Sequence, residues 1–382
     1  MRLRLPQALG TRLRWGGRVA HAGVSLGVSV GAAALALGIS LGIIELTGGP
    51  PGAAAKALWD GAFGSRAQIA GTIAKMLPLT LVALGWIVAF SVKRINIGFE
   101  GQILIGGMLA AVVGLKLGTP PAPIHLALAV SAGVVAGALY AGIAAWLWAR
   151  RSVNEIISTL LLNFVAIQLV SWLVRGPLQE PTRTFPRSGD LPSSATWPRL
   201  LANTSLSWDI FVAAAMVLVV WFVLRRTAFG FELRLTGANE EAARHAGIAT
   251  VKVTVLAFLV SGALAGLAGS SLILAGESGS MADTFSPAYA FARIVVALLA
   301  RNSPIGAVPA ALLFAFLRQG GGLMEARVGI SSAVVGITQG LVILLVASAS
   351  FLFERLASVR VDAGEEPKAK PSQAPTMAAV KE

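Results

Sequence analysis

The chain reads as long apolar runs separated by short clusters of charged, Gly- and Pro-rich residues. Ten such runs stand out, at 19–46, 69–92, 98–115, 124–149, 153–174, 208–225, 251–275, 287–300, 304–322 and 329–353. Most are apolar around the whole helical circumference, as in a helix buried in protein or lipid, not on one stripe as in a soluble surface helix. About 20 residues of helix cross the roughly 30 Å of bilayer hydrocarbon. The pattern therefore predicts an all-α polytopic membrane protein of about ten transmembrane helices. The eighth run is too short to cross unaided, and a short span is tolerated where it is buried in protein or lines a cavity.

Charge orients the spans. With the N-terminus in the cytoplasm, most of the 31 Lys and Arg fall on cytoplasmic segments, as the positive-inside bias requires. The expected organisation is a basic cytoplasmic N-terminus at 1–18 and a membrane domain at 19–353. An external loop spans 175–207, a cytoplasmic loop spans 226–250, and a disordered cytoplasmic tail runs over 354–382. The basic start followed by an apolar run resembles a secretory signal. The run from Ala22 to Ile44 is longer than a signal core, however, and the Ala20-His21-Ala22 site precedes it, so an uncleaved first span is expected.

Composition supports this reading and excludes others. Hydrophobic residues make up 55% and charged residues 13%, with 42 Gly in 382 residues, far from a soluble domain. The net charge of +13, a nucleic-acid signal in a soluble protein, is here a property of cytoplasmic loops. There is no Cys, hence no disulfide or thiolate chemistry. Gly48-Gly49-Pro50-Pro51-Gly52 lacks the Lys-Ser/Thr end of a P-loop. His21, His125 and His245 are scattered with no partners at metal-ligand spacing. No catalytic set, metal site or cofactor site is expected. Small pairs at four-residue spacing, Gly27/Gly31, Gly38/Gly42, Gly133/Gly137 and Gly262/Gly266, suit close helix packing.

Three polar clusters interrupt the apolar text. Asn96-Ile97-Gly98-Phe99-Glu100-Gly101-Gln102 opens the third span, where polar groups at membrane depth suggest a site. It also reads as a helix start, with Asn96 as N-cap and Glu100 in the first turn. Asn154, Ser158, Thr159 and Asn163 form a partly polar helix face, either facing a path or joining helices. Tyr289-Ala290-Phe291-Ala292-Arg293 opens the eighth span. Residues 98–103 can be set beside 290–294, which suits an inverted repeat of two halves with a site between them. Finally, Asn239-Glu240-Glu241-Ala242-Ala243-Arg244-His245-Ala246-Gly247 reads as a capped two-turn helix in a cytoplasmic loop. Asn239 is the cap, acids fill the first turn, bases the last, and Gly247 ends it. An ordered helix there suggests a docking element.

Five segments in order, NIGFEGQ (96–102), NEIISTLLLN (154–163), GANEEAARHAGI (237–248), SGALAGLAG (261–269) and VALLARNSPIGAVPAALLFAFLRQGG (296–321), resemble the permease subunits of bacterial ABC importers. The branch is the one served by basic-membrane-protein-type lipoproteins, with nucleosides as usual substrates, related to ribose and branched-chain amino acid permeases. The long outside loop resembles the longer of two paired permeases. The resemblance implies an inner-membrane importer subunit with both termini cytoplasmic, and no enzyme activity of its own. It implies a second, shorter permease, an external substrate-binding lipoprotein, and an ABC ATPase subunit that binds ATP and Mg. Nucleic acid is not an expected partner. Residues 237–248 match the coupling helix, so Asn239, Glu240, Glu241, Ala242, Ala243, Arg244 and Gly247 are expected at the ATPase. Phe99 and Phe291 could stack on a nucleobase, with Asn96, Glu100, Gln102, Asn154 and Arg293 as polar neighbours along a substrate path. The sequence departs from the family pattern at Ala290, Ala292 and Arg293, and Arg293 suits a carbonyl-rich or more anionic ligand. A simple sugar such as a pentose is the alternative substrate. An ion-coupled secondary transporter is the alternative class, disfavoured because most carboxylates lie at span ends or in loops.

Overall fold

The computed structural model describes residue 31 and residues 34–348, apart from 47, 119, 277–278, 283–294, 301, 332, 343 and 346–347. Contacts divide the chain into a unit of Leu37–Leu341 and a unit formed by the terminal segments Met1–Ala36 and Val342–Glu382. The basic N-terminus at 1–18, the tail at 354–382 and Gly27 lie outside the described residues.

The described chain is helical. In order come α1 (Ala34–Leu46), α2 (Pro51–Phe63), α3 (Arg66–Ser91), α4 (Phe99–Lys116), α5 (Ala122–Arg151) and α6 (Glu155–Arg175). They are followed by α7 (Asp209–Arg226), α8 (Ala228–Ala238), α9 (Glu240–His245), α10 (Thr250–Leu274), α11 (295–299), α12 (Pro304–Val328) and α13 (Ala333–Val342). Among the described residues six helices, α3, α4, α5, α6, α10 and α12, are long and apolar enough to cross a membrane, and a seventh span results if α7 and α8 count as one. Each of the ten predicted runs contains described helix. Of the first, eighth and tenth, only parts are described.

Two elements were not anticipated. Pro51 starts α2, where the missing N–H costs nothing. This helix packs on α12, and the Leu58 carbonyl sits where a Cβ on Gly320 would fall. The chain also bends by 69° between α7 and α8. Thr227 holds the bend. Its hydroxyl donates to the Val223 carbonyl at 2.7 Å and accepts from the Gly230 N–H at 3.1 Å.

The centre is built on glycine. Helix α10 packs against α5, α4 and α3. The Gly133/Gly137 pair of α5 meets the Gly262/Gly266 pair of α10 in antiparallel register. A Cβ on Gly266 would land on the Gly133 carbonyl oxygen, and one on Gly262 on that of Gly137. On α4, a Cβ at Gly106 would lie 2.5 Å from the Gly266 Cα. By contrast, Gly38 and Gly42 of α1 have no neighbour within 4 Å among the described residues, so identical spacing makes no such contact there.

The loops sort onto two faces. One gathers the end of α3, the start of α4, the end of α5, the start of α6, and α9. The opposite face carries the 176–208 loop, which is seated on the helix ends. The Trp197 N–H donates to the Leu274 carbonyl at 2.9 Å, and the Ser188 N–H to the Met281 carbonyl at 2.8 Å. Buried His125 pairs through Nδ1 with the Ser194 hydroxyl at 2.9 Å. Within the loop, buried Glu180 accepts from the Arg187 guanidinium at 2.5 Å and from the Phe185 N–H at 3.0 Å. Burial alone would push this carboxyl up. The hydrogen bonds and the Arg187 charge outweigh it and hold the pKa below the usual glutamate value.

Two outcomes follow from this packing. Gly266→Val should destabilise the helix bundle by 1–3 kcal/mol or more, about the cost of overpacking a tight core, whereas Gly38→Ala should not. Thermal melts in detergent, read by tryptophan fluorescence, compare the two. Because the folded Glu180 pKa is lowered, its contribution is fully present above the ordinary glutamate pKa and is lost as pH falls through that value toward the folded one. Hydrogen exchange across 176–208, corrected for intrinsic rate, should rise in that acidic window. Glu180→Gln should remove the pH dependence.

Candidate functional site

Two of the polar clusters and Ser261 of α10 meet in one buried node. The Asn96 and Gln102 amides pair reciprocally: Asn96 Nδ2 donates to Gln102 Oε1 at 3.1 Å, and Gln102 Nε2 to Asn96 Oδ1 at 3.0 Å. Asn96 Nδ2 also reaches the Ser261 hydroxyl on α10 at 3.0 Å. From α6, Asn163 clamps the same segment by donating to the Ile97 carbonyl at 3.0 Å and accepting from the Gly101 N–H at 2.8 Å. The Thr159 hydroxyl accepts from the Ile97 N–H at 3.3 Å. Leaving such groups unpaired away from water costs roughly 1–3 kcal/mol each, so the node fixes how α4, α6 and α10 join. The polar face of α6 thus joins helices.

Asn96 is not the cap of α4. The helix starts at Phe99 with Gly98 as its N-cap, and Asn96 turns the chain before it by accepting from the Gly98 N–H at 2.9 Å. The tight 96–98 turn spends the asparagine oxygen two residues early. Phe99 is fully buried, with its ring 6.5 Å from that of Trp86, and so has no face open to a solute in this conformation. Glu100 lies half-buried in the first turn of α4. Asn154 is the N-cap of α6 and accepts from the Ile156 N–H at 2.8 Å. Phe291 and Arg293 lie outside the described residues, as does the 290–294 half of the repeat comparison.

The Asn239–Gly247 segment folds as its local signals dictate. Asn239 caps α9 by accepting from the Ala242 N–H at 2.9 Å, Glu240 and Glu241 occupy the first turn, and Gly247 has φ +85°. Within it Ala243 is fully buried, while Glu241, Ala242 and Arg244 face out. Arg94, absent from the candidate residues, fastens α9 to the spans. Its guanidinium lies 3.0 Å from Glu240 and 3.6 Å from Glu155 of α6, and 4.5 Å from the Trp148 ring centroid of α5. Isolated surface pairs contribute little, but one cation shared by two carboxylates and a ring ties three elements together.

On the opposite face lies a cavity of about 730 Å³, within the range of small-molecule sites. Gln68 and Gly71 of α3, Asp209 of α7, Ser271 of α10, Gln319 of α12 and Arg199 of the loop help line it. Gln319 Nε2 donates to Gln68 Oε1 at 2.6 Å. Buried Asp209 accepts from the Ser207 hydroxyl at 2.6 Å and from that of Ser271. Sequence reasoning passed over this cavity. Its signal was glutamine and aspartate at the ends of apolar runs on three separate helices. Among the described residues no group of three or more His, Asp or Glu could hold a metal ion.

The family described as branched-chain amino acid transport system / permease component matches residues 68–347. The glucose ABC transporter permease protein TsgB13 of Haloferax volcanii is 39% identical over 73% of this chain and 76% of its own length. The guanosine ABC transporter permease protein NupP of Bacillus subtilis is 35% identical over 76% of this chain and 84% of its own. The nucleoside ABC transporter permease protein NupB of Lactococcus lactis is 30% identical over 76% and 82%. With a buried amide node, a capped helix tied to the spans and a match over most of its length, this chain belongs to the permease component family of branched-chain amino acid transport systems.

Proposed function

We propose that the chain is the membrane permease subunit of an ATP-driven importer of nucleosides or purine-like solutes. The observation that carries the ATP-driven reading is α9: a capped helix with Glu241, Ala242 and Arg244 facing outward, fastened by Arg94 to α6 and lying on one face of the spans. An ATPase that grips such a helix can move the spans to which it is tied. In this reading ATP and Mg are held by the ABC ATPase subunit, an external lipoprotein delivers substrate, and a second, shorter permease completes the path. The membrane is the bacterial inner membrane, with ten crossings, two inverted halves and both termini cytoplasmic. In this reading Phe291 and Arg293 line the path, while Asn96, Gln102 and the buried Phe99 hold the start of α4 beside it.

The guanosine and nucleoside permeases among the relatives support the nucleoside substrate. The glucose permease at 39% identity favours a simple sugar as the second reading. Proteoliposomes containing the two permeases and the ATPase, supplied with the lipoprotein, should accumulate labelled guanosine only when ATP is inside the ATPase compartment. Accumulation of a hexose in place of guanosine selects the second reading, and uptake driven by an ion gradient without ATP rejects both. Glu241→Arg should reduce uptake about tenfold, the effect of losing about 1.4 kcal/mol from the productive contact, while leaving basal ATPase activity intact. Unchanged uptake in that variant removes α9 from the ATPase interface.

A further inference from the structure

The outer cavity is bounded by α3, α7, α10, α12 and the 176–208 loop, on the face opposite α9. Its chemistry is distinctive. Both cations and an anion line it: Lys75, Arg199 and Asp209. The Arg199 guanidinium already donates to the Ser205 carbonyl at 3.0 Å and the Gly276 carbonyl at 3.4 Å. An anionic solute would meet the Asp209 carboxylate, and a cationic one would meet Lys75 and Arg199, so the lining disfavours net charge of either sign. Polar side chains in membrane spans are costly and mark functional surfaces, and here they come from several separate helices.

Two further features provide hydrogen-bond capacity. The Gln68–Gln319 pair uses one donor and one acceptor, leaving each amide with further sites. Pro78, inside α3, has no N–H to give to the Ala74 carbonyl, and both residues line the cavity. That carbonyl lacks its helical donor. No aromatic ring is among the described lining residues.

We infer that this cavity holds the imported solute at the outer end of its path, and that it takes a neutral, hydroxyl-rich molecule, gripping the sugar part of a nucleoside by hydrogen bonds. The inference rests on the importer reading above. A site that hydrogen-bonds a hydroxyl rejects an analogue lacking it far more strongly than an apolar pocket rejects a change of size.

The chain has no native Cys, so Thr204→Cys places a single thiol on the cavity wall. In the assembled permease–ATPase complex without lipoprotein, millimolar guanosine and uridine should each slow thiol labelling at least threefold. The 2′,3′-dideoxy analogue should not, and adding Gln319→Ala should abolish the protection. Ala67 is exposed in the cavity, and Ala67→Phe projects a ring into it without removing a hydrogen-bonding side chain. That variant should lower uptake at least tenfold with basal ATPase activity retained. Absence of protection by either nucleoside, or equal protection by the dideoxy analogue, overturns the inference, as does unchanged uptake with Ala67→Phe. Protection in a complex that fails to import nucleosides would instead uphold the cavity and reject the nucleoside importer reading.

Discussion

The structure depends on how closely α4, α5 and α10 approach. In hydrocarbon, apolar side chains gain nothing by leaving lipid for protein, so helices associate through van der Waals packing and hydrogen bonds. Glycine at 106, 133, 137, 262 and 266 removes the side chains that would hold the backbones apart, and the carbonyls of one helix lie where Cβ atoms of the next would be. Everything else is arranged around that contact. Helix α3 lies on α10, where the Ser261 carbonyl approaches Gly85, and α6 is joined to α4 by side chains that bridge a wider gap.

That close seam makes the polar node possible. With α4 and α10 pressed together, Asn96 can reach both Gln102 and Ser261, and a polar stripe on α6 finds the 97–101 backbone. Groups that would be costly in lipid become the specific joints of the bundle. Arg94, only two residues before Asn96, extends from this joint to Glu155 and Glu240. Helix α9 is therefore connected through one short segment to the spans at the centre of the fold. A push on α9 is delivered where the helices are most tightly packed, and a rigid core transmits displacement instead of absorbing it.

The opposite end is built differently. There the helices diverge enough to leave a cavity, and the 176–208 loop closes over neighbouring helix ends with its own ion pair, Glu180–Arg187, and its own buried contacts. Small residues weld the middle of the bundle, and polar side chains line an open space at one end. This asymmetry suits a subunit that receives mechanical input at one face and handles a polar solute at the other.

Much of this was legible in the sequence where the cause is local. Apolar runs of membrane length gave the helices, and Asn239, Glu240, Glu241 and Gly247 gave α9 to the residue, because caps and charges act within one turn. Charge also placed the 226–250 loop on the basic side of the spans, and the fold sets its helix α9 beside Arg94. Helix α2 escaped because Lys56 and Asp60 interrupt its apolar character, and it is stabilised by α12. The site divided the same way. The 96–102 and 154–163 motifs were visible as polar residues in apolar text, but whether an amide faces a path or another amide depends on how each helix is rotated about its axis. Gly38/Gly42 and Gly133/Gly137 share one spacing, yet among the described residues only the second pair has a neighbour. Sequence determined the elements, their caps and their sidedness, because those are set by residues a few positions apart. Tertiary structure alone decided which glycines meet, which amides are spent on packing and where the cavity opens, because those depend on how separate helices are placed and rotated against one another.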